Sequence, residues 1–137
     1  MNNKVIWITG ASSGIGKSLA QQLGGRGARL ILSSRNAGRL EEVRNALPHP
    51  EKAAILPMDL ENWTKFPELA TKAIQIFGHV DVLVNNAGIS QRSLIADTGM
   101  EVYERLIKVN YLGTVALSKA LLPHFTKRKT GHFAVVT

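Results

Sequence analysis

Apolar residues in this chain fall into two alternating rhythms. Short runs recur as Val5-Ile6-Trp7-Ile8, Arg29-Leu30-Ile31-Leu32-Ser33, Val80-Asp81-Val82-Leu83-Val84 and Phe133-Ala134-Val135-Val136. These have strand length and read as near-continuous apolar stretches rather than strict alternations. Strands of that kind belong inside a parallel sheet covered on both faces. Ala54-Ile55-Leu56 is a weaker run, third of the five in chain order, because Pro57 suits only an edge or a strand end.

Between the runs lie stretches with helical spacing. Residues 16–25 close on Gly24, Gly25 and Gly27, and residues 37–47 end at Pro48 and Pro50. Residues 64–77 carry Pro67, which only a first helical turn tolerates. A long pattern over 99–129 runs through Val102, Leu106, Val109, Gly113, Leu117 and Leu121, and Pro123 should kink or interrupt it. Strand–helix alternation predicts an α/β fold: a Rossmann-like doubly wound parallel sheet of five strands, with helices on both faces. Residues 1–137 read as one domain. The last run is of the buried type, so the chain is expected to be the front part of a longer domain, or to have this edge covered by a partner.

Composition adds exclusions. The chain is 45% hydrophobic and 20% charged, ordinary values for a globular protein. Its net charge of +7 reads as surface solubility. The densest run, Lys127-Arg128-Lys129, ends a helix, where cations offset the negative end of the dipole. No aromatic residue interleaves with it, so no nucleic-acid partner is expected. The absence of cysteine excludes disulfides, thiol nucleophiles and zinc–thiolate sites. His49, His79, His124 and His132 lack metal-ligand spacing and read as surface or loop residues, with no metal expected. No stretch of about 18 apolar residues exists for a membrane span. A cytoplasmic protein without a membrane partner is the expectation.

The candidate chemistry begins at Thr9-Gly10-Ala11-Ser12-Ser13-Gly14-Ile15-Gly16-Lys17-Ser18. A strand, a glycine turn and a helix start aim backbone N–H groups and a positive dipole end at one point, which makes an anion site. Gly10 would permit the sharp turn, Gly14 the close approach of a pyrophosphate, and Gly16 tight packing. Ser12 and Ser13 add hydroxyl donors. The same letters nearly spell a P-loop of nucleoside-triphosphate hydrolases, but Ala11 stands where that motif needs glycine. Its magnesium-binding acid could only be Asp59, at a strand that Pro57 spoils.

With Thr9 in front, the spacing Gly10, Gly14, Gly16 resembles the short-chain dehydrogenase/reductase family. Asp59 after the third strand, Asn85-Asn86-Ala87-Gly88 closing the fourth, and Asn110 within the long helix follow in family order. Two stretches, Gly88 to Ser93 and Asn110 to Val115, further resemble one branch of it. The resemblance implies that Thr9, Gly10, Gly14, Ile15 and Gly16 line the cofactor phosphates. It implies that Asp59, with Leu60 beside it, meets the adenine. Asn85 and Asn86 would tie the sheet to neighbouring backbone, with Ala87 and Gly88 close to the cofactor ribose. Family members that use NAD place an acid after the second strand, on the ribose 2′-OH. Here that strand ends Ser33-Ser34-Arg35-Asn36. Arg35, flanked by Asn36 and helped by Ser12, suits a 2′-phosphate. NADP(H) is therefore expected over NAD(H).

The implied reaction is hydride transfer between the nicotinamide and a carbonyl or alcohol substrate. The family uses a Tyr as acid and base, a Lys four residues on to lower its pKa, a Ser, and a helix Asn in a proton relay. Of that set only Asn110 is present. Tyr103 is followed at that spacing by Ile107, and Tyr111 by Val115; in register, the serine would follow Thr137. The chain alone is therefore expected to bind cofactor without turning over substrate. The alternative is a non-catalytic nucleotide-binding or interaction module, and more remotely a P-loop hydrolase. The family often dimerises through the helix at 99–129, so a homo-oligomer is implied.

Overall fold

The computed structural model describes all residues from Met1 to Thr137. Five parallel strands form one sheet: β1 (Val5–Thr9), β2 (Arg29–Ser33), β3 (Ala53–Ile55), β4 (Val82–Asn85) and β5 (His132–Val135), in the spatial order β3-β2-β1-β4-β5. Five α-helices connect them: α1 (Gly14–Gly25), α2 (Ala37–Asn45), α3 (Phe66–Phe77), α4 (Met100–Ile107) and α5 (Gly113–Arg128). The sheet is the doubly wound one the pattern predicts, with β3 at an edge as Pro57 requires. No helix is long and apolar enough to cross a membrane.

Successive residues of a strand point to opposite faces, so continuous apolar runs feed two cores. Val5 and Trp7 of β1, with Ile31 and Leu83, pack among Phe66, Ala70 and Ala73 of α3 and Leu117, Leu121 and Phe125 of α5. Ile6 and Ile8, with Leu30, Leu32 and Val84, pack among Ala20 and Leu23 of α1 and Leu40 and Val43 of α2. Each fully buried aliphatic side chain contributes about 1.5–3 kcal/mol. Trp7 keeps its indole N–H satisfied inside the core by donating to Ser33 Oγ at 2.8 Å.

The long helical pattern is where sequence and structure part. Pro123 sits inside α5 without ending it. Leu117, Leu121 and Phe125 are all buried on one face, and they hold the helix against the core on both sides of the proline. The break comes earlier. Residues Lys108–Leu112 form a single wide π turn between α4 and α5. Such a turn advances the helix face by one residue. It leaves Val109 buried and Gly113 so close to the Leu60 carbonyl that a Cβ there would sit 3.1 Å from it. Asn110 lies at the centre of this turn.

Candidate functional site

Strand order reverses between β1 and β4, and open α/β sheets bind ligands at the carboxyl ends beside such a reversal. A cleft of about 980 Å³ lies there.

Thr9 laces its floor. The Thr9 hydroxyl accepts from the N–H groups of Asn86 and Ala87 at 3.1 and 3.0 Å and donates to Val84 O at 3.3 Å. Asn86 Nδ2 donates to the carbonyls of Thr9 and Gly10 at 3.1 and 3.3 Å. Gly10 has φ +65°, and a Cβ on it would stand 2.8 Å from Ala87 Cα. Only glycine therefore lets the β1 turn pass the β4 turn. Gly16 packs behind the loop, where a Cβ would overlap the Gly10 carbonyl. It does not line the cleft, so its contribution is to hold the loop's shape.

The remaining loop residues face outward. Ser12, Ser13, Gly14 and Ile15 all line the cleft. Ser13 occupies the cap position of α1 with no side-chain hydrogen bond, and the first turn carries no acid. Its hydroxyl and the helix N–H groups stay available to an anion. Lys17, which a P-loop would aim at phosphate, instead lines a separate small cavity with Gln21, Arg39 and Glu42.

On the β2 side stand Ser34, Arg35, Asn36 and Arg39. Asn36 caps α2, its Oδ1 accepting from Arg39 N–H at 3.0 Å. No carboxylate pairs with either Arg35 or Arg39, whereas Arg105 across the cleft pairs with Glu61 at 3.5 Å. Asp59 and Leu60 line the far wall, and Asp59 Oδ1 accepts from Glu61 N–H at 3.0 Å. Ala87 and Gly88 close the floor.

Asn110 is not part of the lining. Its side chain clasps one residue of the loop after β4, accepting from Ile89 N–H and donating to Ile89 O, both at 2.8 Å. Gly88 lies beneath that clasp, where a Cβ would be 3.2 Å from Asn110 Oδ1. Asn85 donates to the Ser118 hydroxyl of α5 at 3.1 Å, a side-chain tie rather than the expected backbone one. Sequence reasoning missed Ser34, Glu61, Arg39, Arg105 and Val109 in the wall. Arg39 alone carried a signal: it follows Arg35 and the cap residue Asn36 closely, in the first turn of α2.

A second polar cluster lies at the opposite end of the sheet. Asp81 Oδ2 accepts from Val5 N–H at 2.8 Å and lies 3.1 Å from His79 Nε2. Arg128 donates to Asp81 Oδ1 at 3.2 Å and to Val80 O at 2.8 Å. His124 Nε2 accepts from Val80 N–H at 3.1 Å. His79, in the loop before β4 as expected, and His124, within α5, are half-buried structural partners; His49 and His132 are exposed as expected. Burial pushes the Asp81 carboxyl up, but the Val5 N–H and the Arg128 and His79 groups outweigh it and hold it below its ordinary value. Burial and the Arg128 charge hold His124 below its own.

The comparisons agree with this architecture. The family model for short chain dehydrogenases matches residues 4–137. The human protein Dehydrogenase/reductase SDR family member 7 is 48% identical over 142 residues, covering 99% of this chain and 42% of the relative. A Drosophila melanogaster Dehydrogenase/reductase SDR family protein 7-like is 41% identical, covering 98% and 43%. The crystal structure of a short-chain dehydrogenase from Streptomyces avermitilis superposes with a TM-score of 0.90 at 30% identity, over 98% of this chain and 49% of that one. The chain thus spans less than half the length of these relatives. With this fold, this cleft and a match over nearly its whole length, the chain belongs to the short-chain dehydrogenase/reductase family.

Proposed function

We propose that this chain is the NADP(H)-binding portion of an oxidoreductase acting on a carbonyl or alcohol substrate. The observation that carries the cofactor choice is the pair Arg35 and Arg39, two guanidiniums without carboxylate partners at the end of β2, where no acid stands. A 2′-phosphate supplies the charge they lack, in charge-assisted hydrogen bonds. The free Ser13 hydroxyl and the α1 N–H groups fit the pyrophosphate. Gly10 keeps the floor open, and Asp59 and Leu60 fit the adenine end. When bound, the cofactor supplies the hydride. The chain's own residues bind and orient it: Thr9 and Asn86 fix the floor, and Asn110 fixes Ile89 beside it. No residue of these 137 supplies the Tyr-x-x-x-Lys pair, so the isolated chain binds cofactor without turnover. A homo-oligomer through the 99–129 region is also proposed, since Ile107, Tyr111 and Val115 form an exposed apolar stripe at helical spacing.

Calorimetric titration tests the cofactor choice. Arg35→Asp should weaken NADPH binding at least about tenfold more than NADH binding, since it replaces a charge-assisted bond by repulsion. Equal losses for both would overturn the choice, and stabilisation by magnesium–ATP alone would overturn the dinucleotide reading. Sedimentation of wild type against Tyr111→Glu tests the oligomer, which the variant should dissociate.

A further inference from the structure

The positive charge of this chain is concentrated at one end of the sheet. Every strand of a parallel sheet starts at the same end, so the segments that lead into strands gather there. Backbone hydrogen bonds set those segments side by side. Arg29 N–H donates to Lys4 O at 2.8 Å, Asp81 N–H to Val5 O at 2.9 Å, and His132 N–H to Asp81 O at 3.1 Å. Lys4, Arg29 and Lys52 stand at the starts of β1, β2 and β3, Arg26 ends α1, and Lys127 to Lys129 end α5. Arg44 and Glu42, in the last turn of α2, offset one another; apart from them this end holds seven of the 17 Lys and Arg but only Glu51 and Asp81 of the ten acids, giving five of the seven net positive charges.

Asp81 is matched within the face by Arg128, and Glu51 lies 3.5 Å from the His49 ring. No carboxylate pairs with Lys4, Arg26, Lys52, Lys127 or Lys129. Helix dipoles account for cations at the ends of α1 and α5. They do not account for Lys4, Arg29 and Lys52, which stand at strand starts.

We propose that this end of the sheet is an interaction surface that lies against anionic lipid headgroups. Five strands about 4.8 Å apart spread the charges over roughly 20 Å, a width suited to a plane of headgroups. A nucleic-acid strand would call for exposed aromatic platforms along the track. Here the aromatics at this end are covered: Phe77 is half-buried beneath the Arg29 guanidinium at 5.8 Å, Phe125 is buried and Phe133 is half-buried. Docking is electrostatic and reversible, because no large apolar patch inserts at this end. The cleft, at the opposite end, stays open to solution.

The test is cosedimentation of the 137-residue chain with vesicles of phosphatidylcholine containing about 30% phosphatidylserine, and with phosphatidylcholine alone. Binding should require phosphatidylserine and disappear as salt rises from about 0.1 to 0.5 M, which shortens the reach of each charge. Lys4→Glu/Lys127→Glu should weaken it about tenfold or more, with unchanged thermal melting and NADPH binding. Arg92→Glu/Lys119→Glu makes the same charge change elsewhere and should weaken it far less. Equal loss from both double variants would overturn the face in favour of net charge. Absence of binding at low salt, or tighter binding of an oligonucleotide that the first double variant abolishes, would overturn the lipid assignment.

Discussion

At the carboxyl end of the sheet, polar side chains tie two turns into the floor of an open cleft; at the amino end, they close on one another and on the strand starts. Thr9 and Asn86 spend their hydrogen bonds joining the β1 and β4 turns, which then form the floor of the cleft. Their partners are backbone groups, and the ligand-facing donors, Ser13 and the α1 N–H groups, are left free. Asp81 and Arg128 satisfy each other, and Asp81, Arg128 and His124 take up backbone groups at the starts of β1 and β4, so the cluster is closed. A polar cluster that is complete stabilises, and one left incomplete beside a cavity invites a ligand.

That contrast can be broken by design. The largest effect should come from Gly16→Val, whose side chain would overlap the Gly10 carbonyl and push the loop off Asn86. We expect a loss of about 3 kcal/mol or more in chemical denaturation, together with loss of NADPH binding. Thr9→Val keeps the shape but strips the acceptor from the N–H groups of Asn86 and Ala87, and should cost about 2–3 kcal/mol. It should also weaken NADPH binding, because the floor loosens. At the other end, Asp81→Asn should cost about 2 kcal/mol by unpairing Arg128, while NADPH titrations stay as in wild type. Impaired NADPH binding there would mean that the two ends are not independent.

The smallest effect is a pH slope. His124 is held below its ordinary value of 6.5, so the unfolded chain binds more protons between the folded value and 6.5. Stability should therefore decline as pH falls from about 6.5. His124→Gln, which keeps an acceptor for Val80 N–H, should flatten that part of the profile. Asp81 acts lower down. Its carboxyl is held below 3.8, so its contribution is present above 3.8 and is lost as pH falls through the folded value. Asp81→Asn should remove that acidic loss and leave the slope near 6.5. Urea midpoints measured across pH distinguish the two.

Much of the carboxyl end was legible in the chain, because its constraints are local. A positive-φ glycine next to a strand and an asparagine closing the next buried strand leave letters at fixed places. Asn110 was legible as a position but not as an act: nothing nearby indicates that it clasps Ile89, 21 residues away. The amino-end cluster was illegible, since Asp81 and Arg128 are 47 residues apart and His124 meets Val80 across 44. Pro123 leaves the helix uninterrupted for the opposite reason. Its local rule is sound, but burial of Leu121 and Phe125 on either side outweighs one missing hydrogen bond.

The sequence by itself determined the α/β order, the two-sided burial of the strands, the glycine loop and the absence of a Tyr-x-x-x-Lys pair. Those follow from periodicity, from backbone conformations that few residues can adopt, and from simple inventory. Tertiary structure alone decided that Arg39 joins Arg35 at the cleft, that the helix break falls at Asn110, and that the net charge gathers at one end. Each depends on residues distant in sequence being carried to one place, which no local spacing encodes.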